Sequence, residues 1–157
     1  MTGEFQTGTR LELWLRPSCE WMCRHEKGLV ECTKGLADAG VVDEVQVEQW
    51  GKYAPIDPED ASTESERKAS ERLAEYREWA ASEGVDLHAF SRTAVLTRGG
   101  EPVTMQVLPL VALASYGETG ELLWVVPHGQ GSAAVSVTER LDDLEALASE
   151  DRVLVAD

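Results

Sequence analysis

The stretch that decides the fold runs from residue 11 to residue 23 and reads Leu11-Glu12-Leu13-Trp14-Leu15-Arg16-Pro17-Ser18-Cys19-Glu20-Trp21-Met22-Cys23. Its apolar start predicts a β-strand over residues 10–15, and Pro17 prevents that strand from continuing. A helical pattern follows, so Cys19 lies at a predicted helix start. Unpaired backbone N–H groups there favour a thiolate, which is the form of cysteine that does redox chemistry.

The rest of the chain continues the alternation of strands and helices. The apolar spacing predicts, in order, a helix over 19–38, a strand over 44–50, a helix over 63–83 that Gly84 ends, a hairpin built from 105–115 and 121–126, and a helix over 138–148. The sequence does not decide whether residues 85–104 contain a short strand or form an irregular excursion. The order predicts a single α/β domain over residues 10–150, with a mixed central sheet and helices on both faces. Residues 1–9 are expected to be a flexible N-terminus and residues 151–157 a C-terminal tail.

The charge of the chain is strongly acidic. Lys and Arg number 14 and Asp and Glu number 29, so the formal net charge is −15. This composition resembles that of haloarchaeal cytosolic proteins, in which high salt screens the repulsion between carboxylates. Nucleic acids are bound mainly through Lys and Arg, and no window of the chain gathers a basic cluster. Direct binding of nucleic acid is therefore not expected.

The sequence predicts a soluble cytoplasmic protein. No stretch of about 18 apolar residues occurs, and the first residues lack the basic and apolar regions of a signal peptide. Three cysteines in such a compartment indicate thiols rather than a framework of structural disulfides.

The element order resembles the thioredoxin fold, and two segments strengthen the resemblance. Arg16-Pro17-Ser18-Cys19 looks like the glutaredoxin approach to the nucleophilic cysteine. Val107-Leu108-Pro109-Leu110 looks like the segment that bears the cis-proline of that fold. The resemblance implies a thiol-disulfide oxidoreductase in which Cys19 attacks, Cys23 resolves, and Pro17, Trp21 and Pro109 shape the substrate groove.

The spacing of the two cysteines leaves alternatives open. The pair is Cys-x-x-x-Cys, one residue longer than the usual redox motif. Cys19 and Cys23 are therefore either a nucleophile with its resolving thiol or two ordinary thiols near a helix start. A metal site would have Cys19, Cys23 and His25 as close ligands, whereas structural zinc usually takes four, and we predict no metal and no cofactor. Cys32 lies farther along the helix and is expected to pack as a small apolar residue.

A second resemblance rests on short segments elsewhere in the chain. These are Val47-Glu48-Gln49-Trp50-Gly51, Glu78-Trp79-Ala80-Ala81-Ser82-Glu83-Gly84-Val85 and Leu108-Pro109-Leu110. They look like a group of short uncharacterised haloarchaeal proteins labelled helix-turn-helix proteins. The alternative to a redox enzyme is thus a non-catalytic protein-interaction or regulatory module on the same fold. A protein partner is expected in either case, and the sequence leaves the oligomeric state open.

Overall fold

A computed structural model describes residues 7–16, 20–130 and 133–156, without the side chains of residues 20–26, 88, 130, 133 and 149–156. Within these ranges the elements follow each other in the order β1 (Arg10–Leu15), α1 (Glu20–Asp38), β2 (Glu44–Gln49), β3 (Tyr53–Pro55), α2 (Glu64–Glu83), β4 (Thr93–Arg98), β5 (Glu101–Val107), β6 (Val111–Tyr116), β7 (Leu122–Val126), β8 (His128–Gln130), β9 (Ala133–Val135) and α3 (Val137–Ala156). Short 3₁₀ turns lie at Pro58–Asp60 and His88–Phe90.

The main sheet has four strands in the order β2-β1-β6-β7. β1 pairs in parallel with β2, with Leu13 opposite Val47, and antiparallel with β6, with Leu13 opposite Leu113. β6 and β7 form an antiparallel hairpin around the turn at residues 117–120. The predicted mixed sheet, with parallel first strands and an antiparallel final hairpin, is confirmed.

Helices cover both faces of this sheet, as the sequence predicts. One face packs on α1 and α3 through a buried apolar cluster that consists of Leu11, Leu13, Leu15, Leu29, Leu36, Val42, Leu113, Trp124, Val126, Val137, Leu141 and Leu144. The other face packs on α2 through a second cluster that consists of Trp14, Trp50, Ala54, Ala69, Leu73, Tyr76, Phe90, Leu108, Ala112, Ala114, Tyr116 and Val125. Successive side chains of a strand point to opposite faces, so β1 and β7 contribute to both clusters. β1 is therefore buried on both sides.

The ends of α2 are fixed by the residues that flank it. The Thr63 side chain accepts a hydrogen bond from the Glu66 N–H, which satisfies one of the unpaired donors of the first turn. Gly84 adopts a left-handed conformation with φ +67, and its N–H donates to the Ala80 carbonyl. The predicted helix end at Gly84 is confirmed.

A second sheet occupies the region that the sequence leaves open. It has three strands in the order β3-β5-β4, all antiparallel, and Gly99 and Gly100 form the turn between β4 and β5 with positive φ values. The Arg98 guanidinium of β4 binds the Glu66 carboxylate of α2 at 2.8 and 2.9 Å. This contact ties the second sheet to the helix that covers the main sheet.

Three boundaries differ from the sequence-based prediction. The apolar run over 105–115 is not one strand, because β5 belongs to the second sheet and β6 to the main sheet, with residues 108–110 between them. The backbone of α3 continues through the predicted tail to Ala156. Thr9, placed in the predicted flexible N-terminus, is anchored by its N–H, which donates to the Tyr116 carbonyl at 2.9 Å.

Candidate functional site

The predicted thiol site lies at the junction of β1 and α1. Pro17 and Cys19 fall outside the described residues, whereas Trp21 and Cys23 lie in the first turn of α1, where only the backbone is described. β1 ends at Leu15 and α1 begins at Glu20, so the strand predicted before Cys19 and the helix predicted after it are confirmed. The roles given to the two cysteines and to the groove residues stay predictions.

The structure places the Pro109 segment directly beside this junction. The Arg16 N–H donates to the Leu110 carbonyl at 2.9 Å, and the Arg16 guanidinium donates to the Leu108 carbonyl at 2.6 Å. The Trp50 indole N–H donates to the Pro109 carbonyl at 3.1 Å. Arg16, the residue before Pro17, therefore binds the chain on both sides of Pro109. These contacts bring together two of the segments that were predicted to shape the groove.

The conformation of Pro109 does not follow the resemblance. Among the described residues the cis peptide bond is Val126–Pro127, and the bond before Pro109 is trans. The cis-proline expected in the segment Val107–Leu110 is thus wrong, and residues 108–110 link β5 of the second sheet to β6 of the main sheet.

Cys32 lies on α1 where it faces α3, partly buried against the first apolar cluster. Its thiol donates a hydrogen bond to the Glu145 carboxylate at 2.8 Å. Burial, together with the hydrogen bond and charge of Glu145 and the charge of Asp142, raises the pKa of Cys32 to about 12. A thiol with this pKa stays protonated near neutrality and is a poor nucleophile.

The sequence analysis missed a charged cluster inside the protein. Glu12 is fully buried on β1 and accepts hydrogen bonds from Arg72 Nε (2.7 Å), from the Trp14 indole N–H (2.7 Å) and from Arg10 Nη1 (3.2 Å). Burial would raise the pKa of Glu12, but the hydrogen bond and charge of Arg72, followed by Trp14 and Arg10, outweigh it and hold the pKa below its usual value. The signal in the sequence was a single acidic residue within an apolar strand buried on both faces.

Tyr116 closes this cluster on its other side. The Arg10 guanidinium lies 4.3 Å from the centre of the Tyr116 ring and that of Arg72 lies 5.6 Å from it. The Tyr116 hydroxyl donates to Glu75 at 2.7 Å. The cluster joins α2 to β1 and β6, and its donors and acceptors bind each other, so it fits a structural role better than a ligand site.

An uncharged surface lies on the second sheet. Directly paired residues share a face, and Val95 is opposite Thr104 on the central strand, while the Ile56 N–H donates to the Thr104 carbonyl at 3.2 Å. This face is formed by exposed residues without charge, which we call the open face: Ile56, Thr93, Val95, Thr97, Pro102 and Thr104. Val95 is 66 % exposed and Ile56 is 38 % exposed, and they are the large apolar residues left uncovered in the described part of the chain.

The basic side chains of α2 are engaged within the protein. Lys68 binds Glu48 at 2.8 Å, Arg72 binds Glu12, and Arg77 donates to Gln106 at 3.0 Å. On α3, the buried Arg140 guanidinium lies 4.4 Å from the centre of the Trp124 ring. Neither helix, over its described side chains, presents the row of outward Lys and Arg that contacts phosphates.

Within the described residues, no group of three or more His, Cys, Asp and Glu side chains is placed to hold a metal ion. No helix in that part of the chain is long and apolar enough to cross a membrane.

Comparison with known proteins places the chain in a family. A family model described as a helix-turn-helix domain matches residues 4–149, whereas no curated protein and no solved structure matches. In a helix-turn-helix motif two helices are joined by a turn of three or four residues. Over the described ranges, 25 residues separate α1 from α2 and 53 separate α2 from α3, so these three helices do not form that motif. The match nevertheless covers most of the 157 residues, and the chain therefore belongs to the helix-turn-helix domain family.

Proposed function

We propose that this chain is a regulatory protein-interaction module, built on a thioredoxin-like order of elements, and that the open face is its docking surface. The observation that carries the proposal is the contrast between this face and the rest of the chain. Charged residues make up 27 % of the sequence and the net charge is −15, yet the six residues of the open face carry no charge. Depletion of charged residues is the compositional signal of the buried centre of a protein interface.

The shape of the second sheet indicates how a partner binds. β4 is the terminal strand of that sheet, so its outer backbone groups are available for an added strand. Exposed flat edges of β-branched residues attract other strands, and proteins usually blunt them with charges or proline. β4 reads Thr93-Ala94-Val95-Leu96-Thr97 before its first charged residue, Arg98. An extended segment of a partner would pair with β4 and cover Val95.

The negative net charge of the chain favours a partner with a basic surface. A net charge of −15 attracts basic proteins and repels a second copy of itself. The occupant that fits best is therefore an extended Val- and Thr-rich segment of a protein with a basic surface. Regulation then acts through a protein contact, since the basic side chains of α2 are bound within the chain.

The direct test is site-specific photo-crosslinking in the native host. A photoreactive phenylalanine replaces Val95 of the open face, and the control chain carries it at Thr119, an exposed residue in the turn between β6 and β7. The proposal expects a discrete crosslinked partner from position 95 that is absent from position 119, and expects the purified partner to bind the purified chain. Equal crosslinking at both positions, or a crosslinked homodimer as the sole product, would refute it.

Thiol-disulfide exchange is a second candidate, favoured by the two hydrogen bonds that hold Arg16 against the Pro109 segment. The Cys19 thiolate would attack a disulfide of the substrate, forming a mixed disulfide and expelling one substrate thiolate. The Cys23 thiolate would then attack the Cys19 sulfur, forming a Cys19–Cys23 disulfide and releasing the second thiolate. Two electrons pass from the pair to the substrate, which takes up two protons.

Alkylation rate against pH, measured on the wild type and on Cys19→Ser and Cys23→Ser, tests this candidate. A redox-active pair gives Cys19 a pKa below the free value of about 8.5 and a reversible intramolecular disulfide. If Cys19 titrates as a free thiol and no such disulfide forms across the cellular range of potentials, thiol-disulfide exchange is excluded and the interaction module stands.

A further inference from the structure

A small cavity lies beside the start of α3 and shares no lining residue with the open face or with Cys32. Its volume is about 210 Å³, and it opens between the β8–β9 hairpin and the start of α3. Apolar or small groups form most of the wall, which includes Ala89, Pro127, Gly129, Ala134 and Val135. The polar residues of the wall are His128, Ser136 and Glu139.

His128 is held in one orientation by its neighbours. Its Nδ1 lies 2.7 Å from the Val125 carbonyl oxygen, which can only accept, so Nδ1 carries the proton when the ring is neutral. The Trp79 ring packs against the imidazole at 5.5 Å between ring centres and an angle of 61°. Burial, and also the charge of Arg140, lowers the pKa of His128, which keeps the ring neutral near pH 7. Nε2 is consequently an acceptor with a fixed direction.

The other two polar residues of the wall already bind each other. Ser136 Oγ accepts a hydrogen bond from the Glu139 N–H at 3.1 Å and donates to the Glu139 carboxylate at 3.3 Å. These are the contacts of a helix cap and are explained by α3 itself. The Glu139 carboxylate keeps its second oxygen at the rim, and His128 Nε2 is a neutral acceptor of the wall that remains for a ligand.

From this arrangement we infer that the cavity binds a small uncharged ligand, largely apolar, with one hydrogen-bond donor that points at His128 Nε2. A cavity of 150 Å³ admits benzene, so about 210 Å³ admits a substituted single ring or a compact bicyclic ring. Glu139 of the wall and the nearby Arg140 carry opposite charges, so an ion of either sign gains little net attraction, and the mostly apolar wall does not compensate the cost of removing an ion from water. Phenol and indole carry the required N–H or O–H donor on a flat apolar body.

The test compares phenol with toluene, which has nearly the same shape and no donor. Titrations followed by the backbone amide signals of residues 128, 129 and 134–136 measure both affinities on the wild type and on His128→Phe, which keeps an aromatic ring and removes the acceptor. One neutral hydrogen bond is worth up to about tenfold in affinity. Phenol should therefore bind the wild type several-fold to tenfold more tightly than toluene does, and His128→Phe should abolish this difference.

Ala134→Trp provides a second variant that leaves His128 intact. Ala134 is exposed at the rim of the cavity, so the larger side chain fills the cavity with little risk to folding. Binding of both probes should be lost, while the ¹⁵N shifts of the His128 ring should still indicate a proton on Nδ1. The inference is overturned if neither probe binds at millimolar concentration, if toluene equals phenol on the wild type, or if benzoate or benzylammonium binds better than phenol.

Discussion

Arg72 Nε lies 2.7 Å from Oε1 of Glu12, and its Nη2 lies 3.2 Å from Oε2. This two-point ion pair joins the middle of α2 to the central strand of the main sheet. The Glu12 carboxylate is fully buried, and the Arg72 side chain is 23 % exposed. The pair therefore fixes how α2 lies on the sheet, at the cost of removing a charge from water.

Replacing Glu12 with Gln should destabilise the protein strongly. The substitution removes the buried carboxylate that the guanidinium groups of Arg10 and Arg72 bind next to the core, and we expect a loss of about 3 kcal/mol in the free energy of unfolding. Urea denaturation measures the change. Glu64→Gln is the matched control: the Glu64 side chain is 96 % exposed and its contact with Arg67 is 3.8 Å, so its effect should stay within about 0.5 kcal/mol.

The same carboxylate should make stability depend on pH in the acid range. The pKa of Glu12 is lower in the folded protein than in the unfolded chain, where it is about 4.3, so the unfolded state binds the proton first. The stabilisation is present above about pH 4.3 and is lost as the pH falls through the lower folded pKa. Stability measured between pH 5 and pH 3 should fall less steeply in Glu12→Gln than in the wild type. Equal slopes would show that Glu12 is not paired as described.

Salt should stabilise the protein. With 29 acidic and 14 basic residues, the compact state suffers charge repulsion that mobile ions screen over about 10 Å at 0.1 M and about 3 Å at 1 M. The melting temperature should rise as KCl increases from dilute buffer to molar concentration. A flat or falling curve would remove the halophilic interpretation of the composition.

Cys32 should be nearly inert towards alkylation. A pKa of about 12 leaves about three orders of magnitude less thiolate at pH 8 than a free cysteine has. In a background of Cys19→Ser and Cys23→Ser, iodoacetamide should label Cys32 slowly in the folded protein and at the ordinary rate in urea. Glu145→Gln removes the acceptor and a negative charge, so labelling of the folded protein should accelerate. Ordinary labelling of the folded wild type would contradict the Cys32–Glu145 contact.

The sequence predicted the main sheet because its strands and helices carry strong local signals. Pro17, Gly84 and the alternation around Val47 each mark an element or its end with chemistry that acts within a few residues. The β4–β5 hairpin lies in the region that the sequence left open, and the second sheet was not predicted because β3 has three residues and its pairing with β5 joins residues about fifty positions apart. No local pattern reports such long-range pairing.

For the candidate sites too, the sequence predicts what local signals determine and misses what long-range contacts bring together. The junction at Cys19 could be located from sequence, because a strand and a helix flank it. The open face could not, since it exists only when Ile56, directly after β3, lies beside Thr104 of β5 and Val95 of β4. The His128 cavity likewise combines residues from four separate segments.

The most direct test of the central claim, that a protein partner docks on the open face, is the affinity of the crosslinked partner for charge-bearing variants. Thr97→Glu places a carboxylate on the open face, and Thr119→Glu makes the same change in the distant turn of the main sheet. Calorimetry in molar KCl should show binding weakened at least about tenfold by Thr97→Glu and unchanged by Thr119→Glu. Equal affinity of both variants and the wild type would contradict docking on the open face.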